Sequence, residues 1–582
     1  MNNRQISNLL KAVAAAYEIN GESRFRIVAY ENAAAAVESS SSEIKDLWDD
    51  GQLKDIPGFG PSITAHIDEL FKTGKVKHFA EVFKKLPPAM FVLLTVPGIG
   101  PKTAYKLAHE LPLKNAITAI EDLKKAALEG KIRILTGFGQ QSQKAILEAI
   151  GQKRKDLDRM LLPFASELAG QIISYLKQEK AVLQIEPLGS LRRQASTIGD
   201  IDLAVATNNP KIVLDYFVKY PQCKSIEGQG ENSARIMLKN GRSVDLLTIL
   251  PQSWGTMLQH LTGSKQHNIH LREIAVKKDW SISQYGIKIK TKEFTYAQET
   301  EFYQKMGMSW IPPELREDTG EIEASLQNSL PNLIQLQDIK GDFHLHSDIL
   351  QNTSHDTGLD SMEKVIAQAK SLGYQYLAFT EHNPSVNNHN VEQIFAMIQA
   401  KKKAIESINS TSNNSTPFWV FNSLEIDIRA DGTLALPEKA LNLLDFAVAS
   451  VHSSFNLSKK DMTQRLLRAL SHPKVKILGH PTGRMLGKRE GYEVDWDKIF
   501  SLCKKFNKYL EINAWPERLD LPDTLVREAL KRGVKIIIST DSHDSGHLNL
   551  MRYGVAVARR GWATPASVVN TADYDTIKSL MK

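Results

Sequence analysis

Residues 341–582 repeat one pattern that leaves few folds open to them. Seven short apolar runs, at 342–345, 376–379, 419–421, 446–451, 475–478, 509–512 and 534–538, alternate mostly with helical patterns. Strand-length runs separated by helices predict parallel βαβ units with the spacing of an α/β barrel. A polar residue stands on or just past the end of most runs: His344 and His346, His382, Glu425, His452, His480, then Asp541 and His543. Barrel enzymes place their chemistry at those strand ends. One histidine there is commonly a structural hydrogen-bonder. Six of them with several acids predict a metal centre, and imidazole with carboxylate suits Mn, Zn or Fe.

A second constraint lies at 189–206. Asp200 and Asp202 are one residue apart where Ile201, Leu203 and Val205 alternate as in a half-buried strand, so both carboxylates are expected on one face. Two like charges held that close call for a cation, and a hard divalent ion such as Mg²⁺, completed by substrate phosphate oxygens, fits. Gly189 and Ser190 open a turn after an apolar strand, and Arg192 and Arg193 offer forked donors to phosphate. Strands are expected at 182–188, 201–206, 234–238 and 243–249; the last centres Asp245 in an apolar run, and a buried aspartate needs a partner or a metal.

The first 150 residues read as helical, with one device used three times: an apolar residue, then Gly58 and Gly60, Gly98 and Gly100, or Gly137 and Gly139, then a helix. Pro57 and Pro97 precede the first two pairs. The glycines permit a tight turn whose N–H groups, with the positive end of the next helix, hold a backbone phosphate of nucleic acid without reading sequence. A net charge of +7 is compatible with a polyanionic partner but too weak to argue for one. The two cysteines, Cys223 and Cys503, are far apart, which suggests neither a disulfide framework nor a thiolate zinc site and fits a reducing cytosol. The start of the chain reads as an amphipathic helix rather than a signal peptide, and no run of about 18 apolar residues is present to span a membrane.

These motifs carry two resemblances. Gly189, Ser190, Arg192, Arg193, Gly199, Asp200 and Asp202 resemble the nucleotidyltransferase signature of DNA polymerase family X, the polymerase beta relatives. The resemblance implies that Asp200 and Asp202 bridge two metals and that Asp245 completes the metal at the nucleophile and accepts the primer 3′-hydroxyl proton. It assigns triphosphate contacts to Gly189, Ser190, Arg193 and Gly199. Thr262-Gly263-Ser264 is similar to the start of that family's thumb, which implies minor-groove contacts from Asn268 and Arg272. The glycine repeats resemble helix-hairpin-helix DNA-backbone motifs. In many members a lysine after the first hairpin forms a Schiff base; here the position is His66. Imidazole cannot act as that amine, so DNA binding without efficient deoxyribose phosphate lyase activity is expected, with Lys72, Lys75 and Lys77 as the nearby amines.

The second resemblance is to the PHP (polymerase and histidinol phosphatase) phosphoesterase domain. It implies nine ligands, His344, His346, Asp356, His382, Glu425, His452, His480, Asp541 and His543, and therefore two or three ions of Mn²⁺ or Zn²⁺ that lower the pKa of bound water. The interval before Asp356 is longer than usual for the family, and His355 competes with it.

The two resemblances cover nearly the whole chain, and their order resembles that of bacterial family X polymerases carrying a C-terminal PHP barrel. The expected multidomain division is a helical domain at 1–85, a fingers-like helical domain at 86–150, an α+β palm at 151–256, a thumb at 257–318, a linker at 319–340 and a distorted seven-stranded (β/α) barrel at 341–582. The 409–416 tract reads as a surface loop. The resemblance implies gap filling on gapped or primed duplex DNA with dNTPs in base excision repair, metal-dependent 3′ to 5′ exonuclease activity and an abasic-site endonuclease, in a cytoplasmic monomer. Three alternatives stand beside it: a barrel that is only a structural metal domain, a non-catalytic DNA-end binder, and a barrel that hydrolyses a small phosphate ester.

Overall fold

The computed structural model describes residues 3–39, 44, 48, 53–56, 58–96, 98–113, 116, 118–157, 159–350, 353–386, 388–410 and 418–581. Pro57, Pro97 and most of the 409–416 tract lie outside them.

The N-terminal part is helical, as its periodicity requires. In the Asn3–Ile19 helix, Ile6, Leu10, Val13 and Tyr17 recur at three- and four-residue intervals and are buried with Tyr30, Ala33, Ile63 and Ile67 of the helices that follow. A second helical core gathers Leu93, Ile99, Leu107, Leu123 and Ile146. All three glycine repeats have one local geometry. Gly58, Gly98 and Gly137 sit at φ of 83°, 80° and 81°, a region open to glycine at no steric cost. Gly60 and Gly100 are extended at the N-termini of the Pro61–Thr73 and Pro101–Glu110 helices, and Gly139 precedes Gln140–Leu157. The third repeat, the weakest in sequence, closes the same turn: Phe138 N donates to Leu135 O at 3.0 Å, as Phe59 N does to Ile56 O at 3.0 Å.

The palm is a five-stranded sheet ordered Gln184–Pro187, Ile201–Ala206, Ser243–Ile249, Ser233–Leu238, Cys223–Gln229. The edge strand Cys223–Gln229 was not expected, since its charged and polar residues give no alternating apolar signal. Ile201–Ala206 runs parallel to Ser243–Ile249. Asp200 stands one residue before this strand and is exposed, and Asp202 lies within it. The thumb adds a small antiparallel sheet, Trp280–Ile282, Ile287–Ile289 and Lys292–Phe294.

The C-terminal barrel holds the seven expected strand positions: Gly341–Leu345, Tyr376–Phe379, Trp419–Asn422 continuing as Glu425–Asp427, Ala447–Ser450, Val475–Leu478, Tyr509–Asn513 and Ile536–Ser539. Neighbours pair in parallel. Closure comes where Asp541 N donates to His344 O at 2.8 Å and Leu345 bridges Ser542. Strand alternation explains the interior. Phe343, Tyr376, Phe421, Phe446, Ile477, Tyr509 and Ile537 form one apolar layer inside, while Leu377, Val420, Ala447, Leu510 and Ile538 face the surrounding helices. Toward the C-terminal strand ends the same inward positions turn polar, with Glu511, Asn513 and Ser539 all buried.

Candidate active sites in the palm and the barrel

In the palm, two strands far apart in sequence set the geometry. Asp202 stands opposite Asp245 in the parallel register. Burial, then the carboxylates of Asp245 and Asp200, push the Asp202 carboxyl up to about 7. A site that strains to ionise one of several clustered acids is one a divalent cation relieves. Arg235, on the other neighbour of the Asp245 strand, forks onto Asp245 with Nε to Oδ1 at 2.7 Å and Nη2 to Oδ2 at 2.9 Å. Sequence reading missed this residue; an arginine at an alternating position beside an acidic strand was the signal.

Gly189 opens the short Gly189–Arg192 helix that carries Ser190, and it sits at φ 55°. A side chain there would meet Asp202 Oδ2 at 3.5 Å. Gly199 is likewise close to a neighbour, since a Cβ would meet Arg159 Nη1 at 3.2 Å. The two arginines differ from expectation. Arg192 forks onto Glu299 at 2.9 and 2.8 Å and reaches Thr262 Oγ1 at 2.6 Å. Arg193 donates to Glu317 at 2.9 Å and to the Thr262 carbonyl at 2.6 Å. The expected triphosphate donors are therefore engaged by the thumb in this structure, because both thumb carboxylates come within reach of the turn. Asn268 is also held internally, donating to His260 O at 2.6 Å and accepting from Gln259 at 2.9 Å, while Arg272 lines a shallow hollow with Ile269 and Glu273.

In the N-terminal domain, His66 Nδ1 lies 2.7 Å from the Tyr30 hydroxyl, and its ring stacks on His78 at 4.9 Å. Burial lowers the His66 pKa, which keeps the imidazole neutral. Phe25, 85% exposed, rims the cavity beside it.

The barrel brings its nine expected residues into one cluster. Glu425 is the hub: its oxygens lie 3.3 Å from His344, 3.8 Å from His346, 3.0 Å from His382, 3.3 Å from His452 and 2.8 Å from His480. Asp541 approaches His346 at 3.2 Å and His344 at 3.5 Å. Asp356 spans His382 and His543 at 3.4 Å each. His355 is in the same place, 3.0 Å from Asp427, with its ring 4.3 Å from that of His452. Both candidates of the long interval thus reach the cluster, and Gln351 and Asn352 within that interval lie outside the described residues.

The electrostatics fit a cation site. Burial would raise Glu425 and Asp541, but the surrounding imidazoles hold both well below the usual carboxylate range. Burial first, then the neighbouring His382 and His543, push His346 down to about 3, while at His382 burial is overcome by Glu425 and Asp356, which bring it to about 10. Carboxylates strong enough to load an imidazole with a proton attract metal ions by the same field. The His344 Nε2, His346 Nδ1 and His480 Nδ1 atoms are buried without hydrogen bonds. Among the described residues, four triads of donors lie within coordinating reach, including His346, His382 and His543, and Glu425, His452 and His480.

Three supporting acids escaped the sequence reading. Glu511 lies 2.7 Å from His344 Nδ1 and accepts the His480 N–H at 2.6 Å; Asp427 lies 2.7 Å from His452 Nδ1; Asp342 accepts the His344 N–H at 3.2 Å. The ring partners Glu511 and Asp427 fix the tautomer and orientation of ligating imidazoles, and Asp342 fixes the backbone that carries His344. Glu511 was findable, since it interrupts an apolar run as Asp245 does.

Comparison with known proteins shows which families these segments resemble. Residues 257–317 match the DNA polymerase beta thumb and residues 342–514 the PHP domain. Residues 1–76 match a helix-hairpin-helix domain and residues 91–152 a SAM-like helix-hairpin-helix tandem. The DNA polymerase/3′-5′ exonuclease PolX of Bacillus subtilis (strain 168) is 34% identical over 589 residues, covering 100% of both chains. A probable phosphatase of Clostridium acetobutylicum is 29% identical over 213 residues, 35% of this chain and 79% of its own.

Proposed function

The chain belongs to the bacterial family X DNA polymerases with a C-terminal PHP domain, and from that premise we propose how its two centres divide the work. It is a DNA polymerase and a 3′ to 5′ exonuclease. In the proposed division, Asp200, Asp202 and Asp245 carry nucleotidyl transfer in the palm, and the nine barrel residues carry phosphodiester hydrolysis. The observation that carries this reading is that one chain holds two separate donor sets suited to cations: Asp202 opposite Asp245, and the Glu425 hub.

The palm acids would hold Mg²⁺ and the barrel set two or three ions of Mn²⁺ or Zn²⁺, which when bound supply charge neutralisation at phosphate and an acidified water. The remaining chemistry belongs to the chain. Asp245 is placed to take the primer 3′-hydroxyl proton once Arg235 yields one of its oxygens. Gly189 leaves room beside Asp202 for a phosphate, with Ser190 and Gly199 at its edge. Arg193 would exchange Glu317 for the triphosphate, and Asn268 and Arg272 would face the new pair. In the barrel, Glu511 and Asp427 hold the His344 and His452 imidazoles in orientation, and Asp342 holds the backbone that presents His344.

The finer reading is gap filling on gapped or primed duplex DNA from dNTPs during base excision repair, with an abasic-site endonuclease in the barrel. The paired glycines Gly58 and Gly60, Gly98 and Gly100, and Gly137 and Gly139 support it as three candidate backbone-phosphate contacts. We assign no efficient lyase step to the first domain, since His66 supplies no amine. A monomer in the cytoplasm, divided at 85, 150, 256, 318 and 340, completes the proposal; among the described residues no helix is long and apolar enough to cross a membrane.

The test is the fate of a 5′-labelled primer in a one-nucleotide gap with Mn²⁺. Extension lost only in Asp202→Ala and shortening lost only in His344→Ala supports two separate centres. Loss of both activities in either variant contradicts it.

A further inference from the structure

A cavity of about 470 Å³ opens over the barrel cluster, large enough for one nucleotide. Its floor is His382, Glu425, Asp541 and His543; its wall includes Trp515 and Arg518, which no motif singles out. Both come from the loop after the Tyr509–Asn513 strand, and that loop is fixed. Trp515 N donates to Asn513 Oδ1 at 2.9 Å, Leu519 N to Trp515 O at 3.0 Å and Asp520 N to Asn513 O at 3.1 Å. Arg484 Nε holds the Arg518 carbonyl at 3.0 Å.

The Arg518 backbone is thus pinned while its guanidinium is not. Its side chain is 18% exposed, the nearest carboxylate oxygen is Asp541 Oδ2 at 3.8 Å from Nε, and no described residue accepts a hydrogen bond from it. A desolvated guanidinium with open donors is costly unless an anion completes it, and its fork matches a phosphate. Trp515 stands beside it, its indole packed edge-on against His547 at 5.0 Å and His543 at 6.0 Å. An indole wall next to a phosphate donor suits a nucleobase, which stacks without regard to sequence.

Resting on the reading of the barrel as the exonuclease centre, we infer that Arg518 binds the phosphate and Trp515 the base of the strand's terminal nucleotide. The loop is then the part of the barrel that selects a nucleotide end over a simple phosphate ester.

The experiment measures binding of dTMP and of thymidine to the Mn²⁺-loaded full-length protein, in the Asp202→Ala background so that the palm does not contribute. Arg518→Gln should weaken dTMP roughly 10- to 100-fold and leave thymidine unchanged, since a hydrogen bond to a charged group is lost. Arg518→Lys should recover part of the loss. Trp515→Ala should weaken both ligands by about 10-fold or more. Mn²⁺ content of the same samples separates a lost phosphate contact from lost metal. Wild-type dTMP affinity in a metal-replete Arg518→Gln protein overturns the inference, as does an equal loss for thymidine. These binding outcomes stand apart from primer shortening, whose absence in the unsubstituted protein would instead remove the exonuclease reading.

Discussion

Arg560, the last residue of the barrel helix Met551–Arg560, donates from Nη1 to the backbone carbonyl of Arg193 at 2.8 Å. The same guanidinium reaches Glu317 at 2.9 Å and Asp523 at 2.7 Å, and Glu317 also accepts from Arg193 Nε at 2.9 Å. One thumb carboxylate is therefore shared by a palm arginine and a barrel arginine. Beside it, Arg559 donates to Glu314 at 2.8 Å and Trp562 is buried in the thumb core. The barrel is docked on the polymerase half at the turn proposed to hold the triphosphate.

Arg560→Ala leaves Glu317 with Arg193 alone and takes from Asp523 the guanidinium at 2.7 Å, so a stability loss of about 2 kcal/mol is expected. Arg560→Lys should recover less than half, because an ammonium lacks the planar fork that serves both acids. Thermal unfolding reads the loss, and tryptic cleavage between residues 317 and 341 reads the loosened junction.

Asp202→Asn should reduce primer extension by at least about 10³-fold, a size typical of removing a group that stabilises transition-state charge, and leave primer shortening intact. The same change should raise the melting temperature of the EDTA-treated protein, since burial and the neighbouring acids disfavour the ionised carboxylate. An unchanged or lower melting temperature would count against that electrostatic picture.

Chelation should destabilise the protein by about 2.7 kcal/mol for each ion previously held at 100 times its dissociation constant. Return of Mn²⁺ at pH 7 should release protons, because His344 and His382 are held well above the ordinary histidine value by burial-resisting carboxylates and must give up protons to ligate. Calorimetric titration in buffers of different ionisation heat measures the number released.

Glu299 predicts the acid limb. Burial would raise its carboxyl, but Arg316 and Arg192 bring it down to about 2 from an ordinary 4.5. A depressed carboxyl contributes stability that is present above pH 4.5 and is lost as pH falls toward 2, here about 3 kcal/mol. Glu299→Gln should flatten urea stability between pH 5 and pH 3 relative to wild type while lowering it at pH 7.

Phe343 fills the apolar layer below the ligands, in ring contact with Tyr376, Phe421 and Phe446. Phe343→Ala should cost about 3–5 kcal/mol, and the adjoining His344 should lose its fixed orientation. Reduced Mn²⁺ affinity with unchanged primer extension would read that coupling.

Much of this protein was legible because its signals are local. A strand ends where its apolar run ends, so the residues just past each run fall at one rim of a parallel barrel, and a glycine pair before a helix forces the same turn three times. What spacing cannot supply is which distant segments become neighbours. The register that sets Asp202 against Asp245, the choice of Glu425 rather than another acid as the hub, and the capture of Arg192 and Arg193 by Glu299 and Glu317 each join residues tens to over a hundred positions apart. So does the loop that carries Trp515 and Arg518 over the cluster. The sequence by itself determined the kinds of chemistry and the elements that carry them; the tertiary packing decided who partners whom, because charge, burial and hydrogen bonding depend on distance in space and not along the chain.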